Sequence, residues 1–377
     1  MCEQTNAATL QKLLQQHLVQ YSDTHRLDGQ RLKVCRHLLS CRTEALGGLQ
    51  YACDRCHAKV PRYHSCRDRH CPQCQWRASR QWGERQQRNL LPVTYYHLVF
   101  TLPHALNGWV QLHPKVIYRL LFQSVWHTLR RFAADPKRLG GQLGMTAVLH
   151  TWGQNLSRHV HLHCLIPGGV LTSEGRWKAA RSTYLFPVRA LSRHYRGTLV
   201  SDLRAAAHDG KLQRVTGDDV AAVLDQLMQT EWVVYAKPCL TRSESIVRYL
   251  ARYSHRIAIS NQRIQSIEDG RVCFSYRDYR DDQVKQLTLE AAEFIRRYLQ
   301  HVLPKGFMRI RHYGFLANCC RERSLQQIRA ALDAPAVSDT EADEERRCEQ
   351  RCPQCHRGRL RLRRLINPVC RVVLDPG

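Results

Sequence analysis

The sequence predicts an α+β fold. A small antiparallel sheet carries helices on one face, a compact cysteine-rich module precedes it, and a short basic tail with further cysteines follows. Three features carry that expectation. Residues 159–166, HVHLHCLI, alternate His159, His161 and His163 with Val160, Leu162 and Cys164, and a strand sends such alternating side chains to opposite faces. The segments around this stretch run strand, helix, strand, strand, an order suited to an antiparallel sheet covered on one side. Cys-x-x-Cys pairs lie ahead of this region and again near the end of the sequence, as in small metal-stabilised modules.

A chain of 377 residues holds one sizeable core and one or two small modules. Its 58 Lys and Arg against 32 Asp and Glu give a net charge of +26, which points to an acidic polymer, most simply nucleic acid. Anionic membranes would also suit that charge. However, no apolar run approaches the roughly 20 residues of a spanning helix, and the N-terminus lacks a signal-peptide core. The expected compartment is the cytosol, where 17 cysteines act as metal ligands and buried thiols rather than as disulfides.

Residues 1–34 form a helical segment in which Leu10, Leu13, Leu14, Leu18 and Tyr21 recur at helical spacing. Residues 35–90 form a zinc-binding, DNA-binding module. Cys53-x-x-Cys56 and Cys71-x-x-Cys74 are fourteen residues apart, close to the spacing of one tetrathiolate zinc. Buried thiols are the weaker explanation, because Arg55, Lys59 and Arg62 make the surroundings too polar for a core. Cys41, Cys66 and His70, with His57, His64 or His37 as a fourth ligand, are candidates for a second zinc. Arg67, Arg69, Arg77 and Arg80 lie among further arginines and beside Trp76 and Trp82. Cations track phosphates and aromatics stack on bases; a merely solvated basic face is less expected at this density.

Residues 91–330 form the main domain, which contains the histidine strand. TYYHLVFTL at 94–102 is a strand that stops at Pro103, and 113–134 is a helix with Val116, Leu120, Leu121, Val125 and Leu129 on one side. MTAVLHTW at 145–152 is a second strand, and the histidine strand follows, ended by Pro167-Gly168-Gly169. Neighbouring histidines on its face have Cα atoms about 7 Å apart, so two imidazoles can converge on one metal while the outermost pair cannot. An exposed polar face is the bland alternative in a chain with 20 His.

Residues 189–230 are mostly helical and 231–237 form a strand. A helix opens at Ser243, with Ile246, Val247, Leu250 and Ala251 as its apolar stripe. Tyr249 and Tyr253 sit one turn apart on that helix, among Arg248, Arg252 and Arg256. Tyrosines at helical spacing are usually core aromatics; flanking arginines are unusual there. RIAIS at 256–260 is predicted as a strand, followed by a hairpin turning at Asp269-Gly270, a strand near 284–289 and a helix over 290–302. Residues 331–350 are an acidic linker containing Asp339, Glu341, Asp343, Glu344 and Glu345, predicted to be disordered. In the basic tail, 351–377, Cys352-x-x-Cys355 with Cys348 and Cys370 offers another zinc site.

CRTEALGG, SCRDRHCPQCQ, HLVFTLP, TWGQNLSRHVHLHCLIPGG, YLARYSHRIAISN and EFIRRYLQHVLPKGFMRIRHYGFLAN, in that order, resemble the two-tyrosine, HUH-type transposases of rolling-circle bacterial insertion sequences. The likeness runs from about Cys41 to Asn318, excluding the acidic linker and tail. It implies an antiparallel-sheet HUH endonuclease core with structural Zn2+ in the N-terminal module and Mg2+ or Mn2+ on the histidine pair, His161 and His163. His159, Gln154 and His150 are candidates for the third ligand. Tyr249 and Tyr253 are the implied nucleophiles, forming 5′-phosphotyrosine links to single-stranded element ends and target DNA and leaving free 3′-hydroxyls. The setting it implies is the bacterial cytoplasm, at the nucleoid. One departure is Leu49, which follows Gly47-Gly48 where the family often has His.

The chemistry is coherent on its own terms. A metal on neutral imidazoles polarises an anionic phosphodiester, and a phenol needs metal or arginine fields to act as phenolate. Covalent capture conserves the bond energy, so no nucleotide cofactor is needed, and the sequence has no GxxxxGK[ST] loop. The alternatives are a plasmid replication initiator or relaxase of the same chemistry, a non-catalytic zinc DNA-binding protein, and a metal hydrolase that uses water.

Overall fold

A computed structural model describes residues 8–180, 185–213, 215, 217–239, 258–278, 280–334 and 351–369. Two helices open the chain, α1 (Leu10–Thr24) and α2 (Gly29–Ser40). The Thr9 and Asp28 side chains cap them by accepting from the backbone N–H groups of Lys12 and Arg31. A hairpin of β1 (Gly48–Cys53) and β2 (Lys59–Tyr63) follows, then α3 (Pro72–Gln87), which starts on a proline whose missing N–H costs nothing at that position. Next come β3 (Tyr95–Thr101), α4 (Asn107–Leu112), α5 (Pro114–Ala134), β4 (Gly144–Trp152) and β5 (Arg158–Pro167). A small hairpin, β6 (Gly169–Leu171) and β7 (Trp177–Ala179), leads to α6 (Val188–His208), α7 (Gly217–Gln229) and β8 (Val234–Cys239). Beyond these lie β9 (Ile264–Glu268), β10 (Arg271–Asp278), β11 (Gln283–Glu290), α8 (Ala291–Leu299), β12 (Ile310–Gly314), α9 (Arg321–Ala331) and β13 (Leu360–Ile366).

The central sheet is antiparallel throughout, in the order β12-β4-β5-β3-β8. The histidine strand therefore lies in its middle. Period-two alternation decides what each face does. Leu98, Phe100, Leu149, Val160, Leu162 and Cys164 form one face and are buried against Leu121, Phe122 and Val125 of α5 and Tyr195 and Leu199 of α6. Burying each large apolar side chain of this set contributes about 1.5–3 kcal/mol. The opposite face carries the histidines. The expected α+β architecture around an antiparallel sheet is what the chain adopts; α5 and α6 cover one face, and α3 sets Trp82 against Tyr95 and Leu165 on the other.

A second core was not visible in the sequence order. Leu13, Leu14 and Leu18 of α1 and Val34 and Leu38 of α2 pack with Phe274 on β10 and with Phe294 and Tyr298 on α8. The N-terminal helices are thus packing elements that tie the first forty residues to the β9–β10–β11 sheet. Asp269 and Gly270 turn its first hairpin with φ of 49° and 71°, the two left-handed positions of a type I′ turn.

The predicted strand at 256–260 is not one where it is described. Ala258 has φ of 58° and leads into a 3-10 turn at Asn261–Arg263. Ala258 and Ile259 are apolar because they are buried in the second core, not because they pair with another strand. Residues 240–257, with Tyr249, Tyr253, Arg248, Arg252 and Arg256, lie outside the described residues, as do 335–350 of the acidic linker.

Candidate active site and metal centres

His161 and His163 project from β5, and His150 comes from the adjacent strand, directly opposite His161 in the β4–β5 register. One ring nitrogen from each of His150, His161 and His163 lies within 4.8 Å of the others. Small side-chain rotations would bring such a set to the roughly 2.1 Å that metal–imidazole bonds require. The third member is thus His150, one of three sequence candidates. His159 is adjacent, its ring centroid 4.8 Å from that of His161, but it stacks on His104 at 5.5 Å. The backbone carbonyl of Gln154 accepts from Arg263.

The rings are fixed from behind. The Nδ1–H of His161 donates to the His159 carbonyl at 2.9 Å. A carbonyl can only accept, so the His161 proton sits on Nδ1 and Nε2 keeps its lone pair for a metal. His163 Nδ1 shares a 2.9 Å hydrogen bond with His97 Nε2; with His163 as the donor, its buried Nε2 keeps a lone pair for a metal. Outer partners of this kind orient metal-binding imidazoles and set their tautomers. Trp152 stacks on His150 with centroids 4.4 Å apart, and the Arg309 guanidinium lies 6.0 Å from the Trp152 ring. His97 and Arg309 were missed in the sequence. The signal for His97 was available, since it alternates with Leu98 and Phe100 on β3 and so shares the histidine face.

Burial keeps the cluster neutral. It pushes His161 down to about 3, aided by His159, and pushes His97 down to about 4, aided by Lys237. It also holds His163 well below the ordinary imidazole range, with His150 and His161 adding to the effect. Neutral imidazoles are the ligand form.

Away from the cluster, burial pushes His301 down to about 3. Its ring bonds the Thr151 hydroxyl and the Leu156 carbonyl. Because the folded value lies below the unfolded value of about 6.5, His301 contributes stability above that pH and loses it as pH falls toward the folded value. At about pH 5.5 the loss is about 1.4 kcal/mol. The drop in thermal midpoint between about pH 7.5 and 5.5 is therefore expected to be smaller in His301→Gln than in the native chain. Equal drops would show that His301 is not held neutral.

The cysteines sort differently from their sequence spacing. Cys53 and Cys56 do not share a site with Cys71 and Cys74. Cys41, Cys66, Cys71 and Cys74 form one group, and Cys53, Cys56, Cys352 and Cys355 form another. Sγ–Sγ separations are 3.6 Å for Cys41–Cys74 and Cys41–Cys71, and 3.7 Å for Cys66–Cys74, Cys53–Cys355 and Cys56–Cys352. Four sulfurs about 2.3 Å from a tetrahedral zinc are about 3.8 Å apart. The fourteen-residue gap misled because Cys41 ends α2 and Cys71 caps α3. Those two helix ends meet, and Cys66 completes the set.

His70, expected as a ligand, is buried and spoken for. Its Nδ1 bonds Asp68 Oδ1 at 2.8 Å and its Nε2 accepts from the Leu303 N–H at 3.2 Å. His37 bonds the other Asp68 oxygen at 2.8 Å. Burial alone would raise the Asp68 carboxyl, but these contacts hold it well below the usual carboxylate range. His37, His57 and His64 belong to neither sulfur group. Cys348 and Cys370 lie outside the described residues.

The expected DNA-binding cations divide in the same way. Arg67 is exposed with φ of 54°, and Arg80 pairs with Glu84 across an exposed helix turn. Arg77 is on α3, but its side chain lies outside the described set. Arg69 instead ties the cysteine module to the segment before β12, donating to the carbonyls of Phe307 at 2.5 Å and Pro304 at 3.1 Å. Trp82, expected to face bases, is buried with Tyr95 and Leu165 on the histidine side of the sheet. A groove of about 980 Å³ runs along β12 between α3 and α5, with Arg85, Lys115, Arg119, Lys305, Arg311 and Arg321 among its lining residues. No lining residue is acidic. Among the described residues, no helix is long and apolar enough to cross a membrane.

A family model described as "Putative transposase" matches residues 144–323 and one described as "Transposase zinc-binding domain" matches 13–102. The chain is 45% identical over 342 residues to "Putative transposase y4qJ" of Sinorhizobium fredii, covering 85% of each chain. It is 30% identical over 312 residues to the transposase for insertion sequence element IS801 of Pseudomonas savastanoi pv. phaseolicola, covering 78% of this chain and 72% of that one. Among solved structures, the conjugative relaxase TrwC in complex with oriT DNA aligns over 64% of this chain and 73% of its own, at 16% identity and a TM-score of 0.25. That likeness is too low to bear on the site.

Proposed function

This chain belongs to the IS91-type family of insertion-sequence transposases with an N-terminal zinc-binding domain, and we propose that it nicks and rejoins single-stranded DNA through tyrosine–phosphate links formed beside the histidine cluster. The observation that carries this reading is the convergence of His150, His161 and His163 on the face of the central sheet opposite α5 and α6. A divalent metal bound there would polarise the scissile phosphate and lower the pKa of an attacking oxygen. The chain's own residues do the rest. His97 and the His159 carbonyl hold two ligands in register.

Tyr249 and Tyr253 are the proposed nucleophiles. The phenolate oxygen of one forms a bond to phosphorus as the bond to the 3′ oxygen breaks. That oxygen takes up a proton and leaves as a 3′-hydroxyl. The reverse attack rejoins strands without a nucleotide cofactor. Position in the chain supports this assignment. Lys237, before residues 240–257, lies opposite His97 in the β3–β8 register. Ala258, after them, packs in the core that includes Leu156 and Trp152.

The donor set has three imidazoles and, among the described residues, no carboxylate. Nitrogen donors favour Mn2+ over Mg2+, which prefers oxygen ligands. The test is cleavage of a labelled single-stranded oligonucleotide carrying the element's end. Cleavage should stop with chelator and return at lower Mn2+ than Mg2+; cleavage that persists in excess chelator would refute a metal-assisted site.

The groove along β12 is the proposed path of the strand. Its cations displace condensed counterions, so binding should weaken steeply with salt. Replacing Arg85, Arg119 and Lys305 with alanine is expected to flatten the slope of log affinity against log salt by up to about 2, at about 0.7 per single-strand phosphate contact. An unchanged slope would move the strand elsewhere.

A further inference from the structure

We propose that Cys53 and Cys56 of the N-terminal module and Cys352 and Cys355 of the C-terminal tail hold one structural zinc, which joins the two ends of the chain. The zinc-binding match stops at residue 102 and so leaves the second pair unassigned.

Both halves have the same local form. Cys53 Sγ accepts from the N–H groups of Arg55 and Cys56 at 3.4 and 3.5 Å, and Cys355 Sγ accepts from the N–H of Gly358 at 3.3 Å. The residue after the second cysteine is left-handed in each pair, His57 and His356, both with φ of 56°. That conformation costs about 1–2 kcal/mol for a residue with a side chain. It recurs after Cys41 (Arg42, φ 57°) and Cys66 (Arg67, φ 54°), and in the Cys66 turn the Asp68 N–H likewise donates to Cys66 Sγ at 3.5 Å. N–H donors of this kind stabilise thiolate rather than thiol.

The halves are also built to meet. β13 pairs antiparallel with β1 from Gly48↔Ile366 to Cys53↔Leu360, giving a sheet in the order β13-β1-β2. The Arg359 N–H donates to Asp54 Oδ1 at 2.7 Å, and the Asp54 N–H donates to the Arg359 carbonyl at 3.0 Å. Gly358 lies so close that a Cβ there would collide with Cys53 Sγ.

Apolar packing does not account for this contact. Among the described residues the local cluster buries Cys53, Cys352 and Leu360, with Tyr51, Ala58 and Val60 partly buried against them, too little to hold a three-stranded sheet. Cys56 is exposed, which apolar burial would not require. Sγ–Sγ distances of 3.7 Å are far from the roughly 2.05 Å of a disulfide. Four thiolates saturate a tetrahedral ion, so the site is structural, and soft ligands in that geometry select zinc. Its binding energy is then the folding energy of the clip.

The experiment uses the full chain purified under reducing conditions, with zinc counted by native mass spectrometry. Cys352→Ser with Cys355→Ser is expected to lose one zinc, and Cys53→Ser with Cys56→Ser the same one, so all four changes together lose no more than either pair. A full zinc complement in the tail variant, or losses that add, would overturn the proposal. A second measurement needs no substitution. Exposed Cys56 and half-buried Cys355 should be alkylated by N-ethylmaleimide far more slowly than exposed Cys319, and both should accelerate together when a chelator is added. Alkylation of both at the rate of Cys319 before chelation would equally overturn it.

Discussion

Changing Tyr249 and Tyr253 together to phenylalanine is expected to abolish the covalent protein–DNA adduct while the chain still folds and retains its zinc. Each change removes only a hydroxyl, so a packing role predicts a small loss of stability and unchanged activity. A nucleophilic role predicts a folded protein that forms no phosphodiester to itself, because no phenol oxygen remains for attack on phosphorus. With both tyrosines in use, each single variant should retain adduct formation through the other but fail to complete strand transfer. The readout is a denaturing gel of labelled oligonucleotide, with thermal unfolding as the control for folding. An adduct that survives in the double variant would assign the nucleophile to another residue.

The second large effect concerns the histidines and should be graded by distance from the metal. His163→Ala and His161→Ala each remove a ligand from the group formed with His150 and should abolish cleavage. His97→Ala removes only the ring that orients His163 at 2.9 Å, and outer partners of this type are worth about 10–100-fold. His159→Ala should be milder still, since the His159 carbonyl that positions His161 survives the substitution. DNA binding should be largely intact in all four, because the cations of the β12 groove are untouched. The measurement is cleavage rate at saturating DNA with affinity determined separately. Equal activity in His163→Ala and His159→Ala would contradict the geometry, and a failure of His161→Ala and His163→Ala to fold would show these residues to be structural.

Much of the central sheet was legible because strand alternation is a local signal. His159, His161 and His163 against Val160, Leu162 and Cys164 specify two faces wherever the strand sits, and the polar face is the one left open by α5 and α6. What the sequence hid was partnership across distance. His150 joins His161 only through the antiparallel register of β4 and β5. Cys53 and Cys56 carry the same Cys-x-x-Cys signal whether the other half is Cys71 and Cys74 or Cys352 and Cys355. Spacing favoured the near pair; the meeting of the α2 and α3 ends took Cys71 and Cys74 for Cys41 and Cys66. His70 shows a further limit. Its place beside four cysteines fits a ligand, yet its hydrogen bonds to Asp68 and the Leu303 N–H make it a buttress. Arg69 likewise reads as a phosphate contact until its two carbonyl partners are seen.

The most direct test of covalent tyrosine chemistry at this site follows a label through cleavage. A single-stranded oligonucleotide carrying the element's end is labelled at its 3′ end in one sample and its 5′ end in another, and each is incubated with the chain and Mn2+. A 5′-phosphotyrosine link keeps the downstream fragment on the protein, so the 3′ label should migrate with the protein on a denaturing gel. The 5′ label should appear in a shorter strand with a free 3′-hydroxyl that a polymerase can extend. Cleavage with neither label on the protein would mean that water attacks the phosphate, and would contradict a tyrosine nucleophile.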